Sequence, residues 1–524
     1  MTVENGTFRA DWRLRCIFGV IGLLNFAAAL DATSLSVAIP TIADDLGGTS
    51  IEAFWSGTSF LVASTVFQPV FTMCSEIFGS TRMLFTAVVA FTVGAILAAV
   101  AQDFTLLLVG RCIQGTGGGG IIALTEVLIA DLIPLHERGK WMSVRSLTWS
   151  FGTVIGPVIG GSLTEHAWRW IFWINLPFCG LGLVLIPAFM RLHRDRSALW
   201  ERLSSVDYLG CVLFVGSLSS FLVPLSWGGL MYPWDSWHTL VPLILGAVGL
   251  AAFVIYEACV PSRPLIPPLI FRNSTTTIGY LGCFLHGVIL WCILYYCPLY
   301  YEASLGYSAV IAGAALLPFT LTVAPLSAAV GIAIGKLGRY RWALWLGWTL
   351  ATLGMGLLYL LDTDTAVAEW IFLTLVSGIG LGVLFSSMML AVQASADIKF
   401  LSITASMAAF FRTLGQTVGV AIGGVIFQNR FRVEVSGGES ALSSTAVELA
   451  DNAASLVWYI RGLSKGEERD ILADAYASAL GVVWLVMCGL AGVGLVSCLF
   501  VKKYPMVQAF KPRQGVQRDE PQMA

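Results

Sequence analysis

Fourteen separate stretches of strongly apolar residues run along this chain, and no other feature limits its fold so severely. They cover residues 15–40, 53–73, 83–101, 105–131, 143–164, 171–190, 208–227, 239–258, 276–300, 309–334, 343–361, 369–392, 403–427 and 478–501. A helix needs about 20 apolar residues to cross a bilayer. Hydrocarbon offers no partner for a backbone N–H or C=O, so segments this apolar must be helical. Composition agrees: of 524 residues, 57% are hydrophobic and 12% charged. That charged share is about half the value for a soluble domain, and the mean hydropathy is +0.79. A soluble globular protein, a disordered chain and a nucleic-acid binder are excluded. The formal net charge of -2 points to no acidic or basic partner. The expected fold class is an all-α polytopic membrane protein.

Charge placement tests the span count. With the N-terminus in the cytoplasm, the inner segments carry 22 of the 30 Lys and Arg, among them Arg13, Arg15, Arg82, Arg138, Arg145 and Lys336. The short outer loops carry one, Arg169. Loops as long as 428–477 count less towards orientation. The contrast predicts an even number of spans with both termini inside. On that topology the glycosylation patterns Asn5-Gly6-Thr7 and Asn273-Ser274-Thr275 face the cytoplasm and stay unmodified. The first apolar run is too long for a signal-peptide core, and no small-residue cleavage site follows it. The 11 Cys form no C-x-x-C pair and no Cys/His cluster at metal spacing, so no metal is expected. Most read as small core residues.

Span 5 contains Gly152, Gly156, Gly160 and Gly161; span 13 contains Gly415, Gly419, Gly423 and Gly424. Both read G-x-x-x-G-x-x-x-G-G, offset by 263, and the same offset carries span 1 onto span 9. Small residues at this spacing also recur between membrane helices generally. The matched offset favours two six-helix halves, the arrangement of secondary transporters. The expected division is a cytoplasmic tail 1–14, an N-terminal bundle 15–190, a linker with two inserted helices 191–275, a C-terminal bundle 276–501 with a long outer loop 428–477, and a cytoplasmic tail 502–524.

A charge inside a span is costly and is a functional candidate by default. Asp31 in span 1 and Arg111 in span 4 lie at depths that agree within about 5 Å at helical rise. Two readings are open: a proton relay, broken when Asp31 is protonated, or a static ion pair. Glu126 near the inner end of span 4 either exchanges a proton from a buried position or extends towards the interface. Arg412, early in span 13, is expected at the inner interface. The run Gly115 to Gly120 matches G-x-G-x-x-G formally, but it lies within an apolar helix with no preceding strand, so close helix packing is the expectation. No G-x-x-x-x-G-K-S/T loop exists, so the chain needs a gradient rather than its own ATP site. Trp291, Tyr295 and Tyr296 in span 9 belong either to an interfacial belt or to a substrate cavity.

These residues give the chain a family resemblance. Leu30-Asp31-Ala32-Thr33 through Ala38-Ile39-Pro40, Arg111-x-x-Gln114-Gly115-x-Gly117, Gly152-x-x-x-Gly156-Pro157-x-x-Gly160-Gly161, Trp168-Arg169-Trp170 through Asn175-Leu176-Pro177, and Arg412-Thr413-Leu414-Gly415 all occur. In these the chain resembles the major facilitator superfamily, in its fourteen-span drug:proton antiporter branch, with a fungal flavour. The resemblance implies a proton-coupling role at Arg111. It also implies that the span 5 Gly/Pro run bends the helix, makes a close contact between the halves and favours export. The loop between spans 2 and 3 departs from the family's G-x-L-x-D-x-x-G-R-K. Here Glu76 replaces Asp, Gly79 is kept, the first Gly and the Arg-Lys pair are lost, and Arg82 sits one place beyond. The inner latch that this loop supplies in the family is therefore expected to be weaker or to use Arg82 and the Lys336/Arg339/Arg341 loop differently.

The combined expectation is a non-enzymatic, proton-coupled exporter of small, largely apolar organic compounds, such as antifungal drugs or a secondary metabolite. It needs no cofactor beyond the proton gradient. Its partners are substrate, protons and lipid, with no nucleic acid, and it works as a monomer in the plasma membrane or, second, the vacuolar membrane. Two alternatives stand beside it. One is transport of a polar nutrient such as a basic amino acid or siderophore. The other is a metabolite sensor that uses the 428–477 loop, with its amphipathic stretch 449–463, as a partner surface; the same loop also reads as a cap over the outer mouth.

Overall fold

A computed structural model describes residues 3–4, 7–8, 11–35, 38, 41–42, 45–47, 50–190, 199–229, 231–261, 263–437, 453–463 and 466–506. Ile39, Pro40, most of the two tails and all of the 191–198 linker segment lie outside the described residues, as do Asn5 and Gly6 of the first glycosylation pattern. Apart from a short hairpin pairing Val3–Glu4 with Thr7–Phe8, the described residues form helices and their connections. Among the described residues, thirteen helices are long and apolar enough to cross a membrane. A fourteenth, the 33-residue Leu135–Ala167, stands where span 5 is expected.

In chain order the helices are α1 (Trp12–Ser34), α2 (Ser50–Phe78), α3 (Ser80–Ala99), α4 (Phe104–Leu132), α5 (Leu135–Ala167), α6 (Asn175–Phe189), α7 (Tyr208–Trp227) and α8 (Trp237–Cys259). They continue with α9 (Ser274–Leu299), α10 (Leu317–Leu337), α11 (Arg341–Leu357), α12 (Val367–Ser395), α13 (Leu401–Gly437) and α14 (Glu467–Cys498). Local chemistry sets several ends. The Asp103 carboxylate accepts Leu106 N–H at 2.7 Å and starts α4, as Asp207 does for α7 at 2.9 Å. Gly338 closes α10 at φ +63, a left-handed position that suits glycine. Pro298 cannot donate to the helical ladder, and α9 runs on as a π turn over Tyr300–Ser304. Acidic residues fill the first turn of α14, where they complement the helix dipole.

Helix pairs repeat at a separation of eight. The pairs α1/α5, α2/α4, α3/α4 and α3/α6 have counterparts in α9/α13, α10/α12, α11/α12 and α11/α14. The halves meet along two seams, α2 against α13 and α5 against α10, which the repeat would exchange. Inserted helices α7 and α8 pack on one another, and α7 covers the α2/α13 seam. The Phe214 ring of α7 packs at a tilt against Phe253 of α8 and Phe410 of α13, at 5.1 and 5.8 Å between centroids. The outer side of α8 exposes Val241, Ile244, Leu245, Val248 and Val254, an apolar strip matched to lipid.

Glycines explain the closest approaches. A Cβ on Gly115 would stand 2.5 Å from Phe60 O of α2, and one on Gly110 2.7 Å from Ala98 N of α3. Gly117, Gly119 and Gly120 are equally crowded by α2 and α3. The glycine run of α4 is thus a packing surface for two neighbours, as its sequence context indicates.

Candidate functional site

Three polar layers interrupt the apolar interior. The first joins α1, α4 and α6. Asp31 (0% exposed) and Arg111 (1%) form an ion pair at 2.6 Å. The guanidinium also donates Nε–H to Ser56 O at 2.8 Å and Nη1 to Gln114 Oε1 at 2.7 Å. Gln114 Nε2 and Asn175 Nδ2 both donate to Asp31 Oδ1 at 2.8 Å. The carboxylate therefore has a guanidinium on one oxygen and two amides on the other. The Arg111 guanidinium lies over Phe60 at 4.5 Å and Phe172 at 5.7 Å. In the sequence Asn175 stands only as one member of the Trp168–Pro177 segment; a neutral amide amid apolar residues is the signal that singles it out.

The glycine run of α5 packs beside this layer. A Cβ on Gly152 would lie 2.7 Å from Ala29 Cβ and Phe26 O of α1. Gly156 abuts Thr33 and Ser34, and Gly160 abuts Ser34. Gly161 is buried on the same helix, and the side chain of Pro157 lies outside the described residues. The expected contact between halves is corrected here: these glycines meet α1 of their own half, one to five residues from Asp31. The C-terminal run behaves likewise, with Gly415 against Phe284 and Gly419 against Val288 of α9.

A central cavity between the two halves forms the second layer. Both halves line it: Arg145, Trp149 and Thr153 from α5, Trp291 from α9, Phe319 from α10, Phe385 from α12 and Arg412 from α13 among others. Of the three aromatic residues of span 9 expected there, Trp291 qualifies. Tyr295 packs at a tilt against Trp291 at 5.6 Å, and a Cβ on Gly57 of α2 would lie 3.9 Å from its hydroxyl. Tyr296 is corrected: it turns away and donates its hydroxyl to Val420 O at 2.6 Å. Glu126 does not extend to the interface. It is fully buried and ion-paired with Arg145. Arg412 is corrected too; it is 4% exposed, donates to Phe385 O at 2.9 Å and lies over that ring at 4.0 Å.

The third layer closes the seams on the face that carries the chain ends. Gln68 donates to Thr413 at 3.0 Å, and Thr65 meets Thr417 at 3.1 Å. Ser402 donates to Asp131. Arg138, counted as a loop charge in the sequence, is 1% exposed; it donates to Ile133 O and Ala130 O at the end of α4 and to Gln393 Oε1 across the seam at 3.2 Å. Gly139 and Gly331 touch between α5 and α10, where Ser143 donates to Ala328 O at 3.0 Å. In the nearby α2–α3 turn Gly79 holds φ +95, which favours glycine. Glu76 and Arg82 flank it with exposed side chains.

At the opposite face Asp45 accepts Trp168 Nε1–H at 2.9 Å and Arg169 Nη1 at 2.7 Å. These donors hold its carboxyl below the usual value of 3.8. Of the amphipathic 449–463 stretch, Ala453–Gly462 is a helix whose Val457 and Ile460 are buried, with Arg461 near Glu302 at 3.7 Å. That favours the capping reading of this loop over a partner surface.

Comparison with known proteins agrees with this architecture. The signature of the Major Facilitator Superfamily matches residues 21–423. The chain is 51% identical over 500 residues to "MFS transporter L2" of Phoma sp., covering 95% of this chain and 83% of that protein. It is 33% identical to "Efflux pump FUS6" of Gibberella fujikuroi, covering 97% and 92%. The solved proton:xylose symporter XylE superposes with a TM-score of 0.57 at 16% identity, covering 94% of this chain and 98% of that one. The chain belongs to the Major Facilitator Superfamily, among the fungal transporters and efflux pumps of that family.

Proposed function

We propose that this transporter is a proton-coupled exporter of small, largely apolar organic compounds, working by alternating access. The observation that carries the proposal is the buried Asp31–Arg111 pair in the N-terminal half. A proton on Asp31 removes the negative charge and leaves a buried guanidinium facing only neutral acceptors. Breaking a buried pair in this way costs about 3–5 kcal/mol, enough to drive α1 and α4 into a new arrangement. The glycine run of α5 lies against the same stretch of α1, and α5 forms one seam with α10. Movement of α1 is thereby passed to the interface between the halves. Glu126, paired with Arg145, is a second carboxylate that a proton can discharge.

The names of the relatives support export, since several are called efflux pumps. The cavity supports an apolar substrate through its Trp and Phe lining. No carboxylate stands among its lining residues, so the basic-nutrient alternative gains nothing from it. We place the protein in the plasma membrane as a monomer, with both termini cytoplasmic and with substrate, protons and lipid as its partners. The polar ladder then closes the cytoplasmic side.

Inverted plasma-membrane vesicles with an imposed pH gradient test the proposal. Export appears as substrate uptake that rises with the gradient and stops on collapsing it. Gradient-independent movement, or wild-type coupling in Asp31→Asn, overturns proton antiport.

A further inference from the structure

The cavity holds a charge arrangement that the Asp31 layer does not use. Arg145 and Arg412 reach it from opposite halves. Arg412 spends one donor on Phe385 O, and its Nε has no hydrogen-bond partner among the described residues. Arg145 meets Glu126, and its own Nε is also unpartnered. The groups facing them are Glu126 from α4 and, from α9, Cys283, which bonds Arg412, and His286, both fully buried. Two guanidiniums against one carboxylate leave positive charge in surplus. Trp149, Trp291, Phe319 and Phe385 make the surrounding wall aromatic. Buried guanidinium donors without partners are costly, and an oxyanion satisfies them best because its two oxygens match the planar fork. A neutral guest leaves them unpaired, and a cation meets repulsion.

Resting on the reading of this cavity as the substrate site, we infer that the substrate is an amphipathic organic anion. It carries an apolar body and a carboxylate, whose two oxygens meet the fork, with Arg412 and Arg145 as the oxyanion ligands. Glu126 competes with the guest for Arg145. Protonating Glu126 therefore strengthens anion binding, which is the wrong sign for antiport of an anion. The exchanged proton belongs on Asp31, and Glu126 sets the affinity.

The test is equilibrium binding to the full-length protein in zwitterionic nanodiscs without a gradient, read by tryptophan-to-pyrene energy transfer and corrected against empty discs. The probes are pyrenebutyrate, its methyl ester and pyrenebutyl-trimethylammonium. The carboxylate should bind about ten- to hundredfold tighter than the ester, as a charge-assisted contact predicts, and the ammonium weakest. Arg412→Gln should remove the carboxylate's advantage while the ester is unaffected, and Arg412→Lys should restore part of it. Glu126→Gln should tighten the carboxylate severalfold. Equal affinities, a preference for the ester or ammonium, no saturable carboxylate signal, or weaker carboxylate binding in Glu126→Gln each overturn the inference. Because no gradient is applied, these outcomes are separate from a failure of proton coupling in vesicles.

Discussion

Replacing Gly331 by alanine probes how the two halves part. In the closed seam a Cβ at this position would stand 2.9 Å from Gly139 O, against 3.4 Å or more in ordinary contact. The helices must separate by about half an ångström or the side chain is overpacked, at a cost of about 1–3 kcal/mol. The cost applies where α5 and α10 touch at the terminal face and vanishes once that face opens. Every 1.4 kcal/mol is tenfold, so the equilibrium should shift towards the open form by about 5- to 140-fold. Gly139→Ala should act more strongly, because its Cβ would lie 2.7 Å from the Gly331 carbonyl carbon and closer still to the oxygen. Spin labels on non-canonical residues at Lys140 and Lys336, both exposed, report the separation while the eleven free cysteines stay in place. Each variant should add a long-distance population, Gly139→Ala the larger one. An unchanged distance distribution in Gly139→Ala, at unchanged or lowered stability, would show that this contact does not gate the seam.

Asp31→Asn should lower thermal stability by about 3–5 kcal/mol through the orphaned Arg111, and Asp31→Asn with Arg111→Gln should recover most of it without restoring coupling; unfolding in detergent reads the first and vesicle uptake the second. Tyr296→Phe loses the 2.6 Å bond to Val420 O and should cost about 1 kcal/mol of stability with substrate affinity unchanged, whereas Trp291→Ala should weaken affinity; measuring both separates packing from lining. Asp45→Asn should cost at most about 1 kcal/mol near neutrality because its pair is half exposed. The carboxyl is held below 3.8, so its contribution is present above that value and lost as pH falls through the lowered one; melting curves of the variant and wild type should differ above about pH 3.8 and converge only below the lowered value.

The topology was legible because hydropathy reports burial in lipid directly. The Asp31–Arg111 pair was legible because two charges at one depth in apolar helices have few other solutions. Arg145 and Arg412 were misplaced for a geometric reason. Apolar windows open at 143 and 403, which puts both residues near a membrane edge. The helices begin earlier, at Leu135 and Leu401, so ten and eleven helical residues, about 15 Å, precede each arginine. The same cause shortened the long loop: α13 runs on to Gly437 and α14 starts at Glu467, because a helix does not stop where hydropathy falls. Tyr296 was separable in principle. Trp291 and Tyr295 are four apart and share a face, while the next residue turns about 100° away onto α13.

Duplication of the scaffold contrasts with the charges placed on it. At the repeat offset of 263, Asp31, Arg111 and Glu126 correspond to Leu294, Thr374 and Met389, and Arg412 corresponds to Trp149. The seams are thus twofold while the chemistry is not. An acid that can lose its charge sits in one half, and a cavity-lining guanidinium enters from each. On the proposed mechanism, coupling crosses from α1 to the cavity and the seam, and α5 touches all three: its glycines lie on α1 beside Asp31, its Arg145 lines the cavity, and its Gly139 meets α10. A bulky residue at Gly156, against Thr33 and Ser34, should then uncouple proton from substrate movement while anion binding persists. Loss of binding together with coupling would mean that α5 serves only as packing.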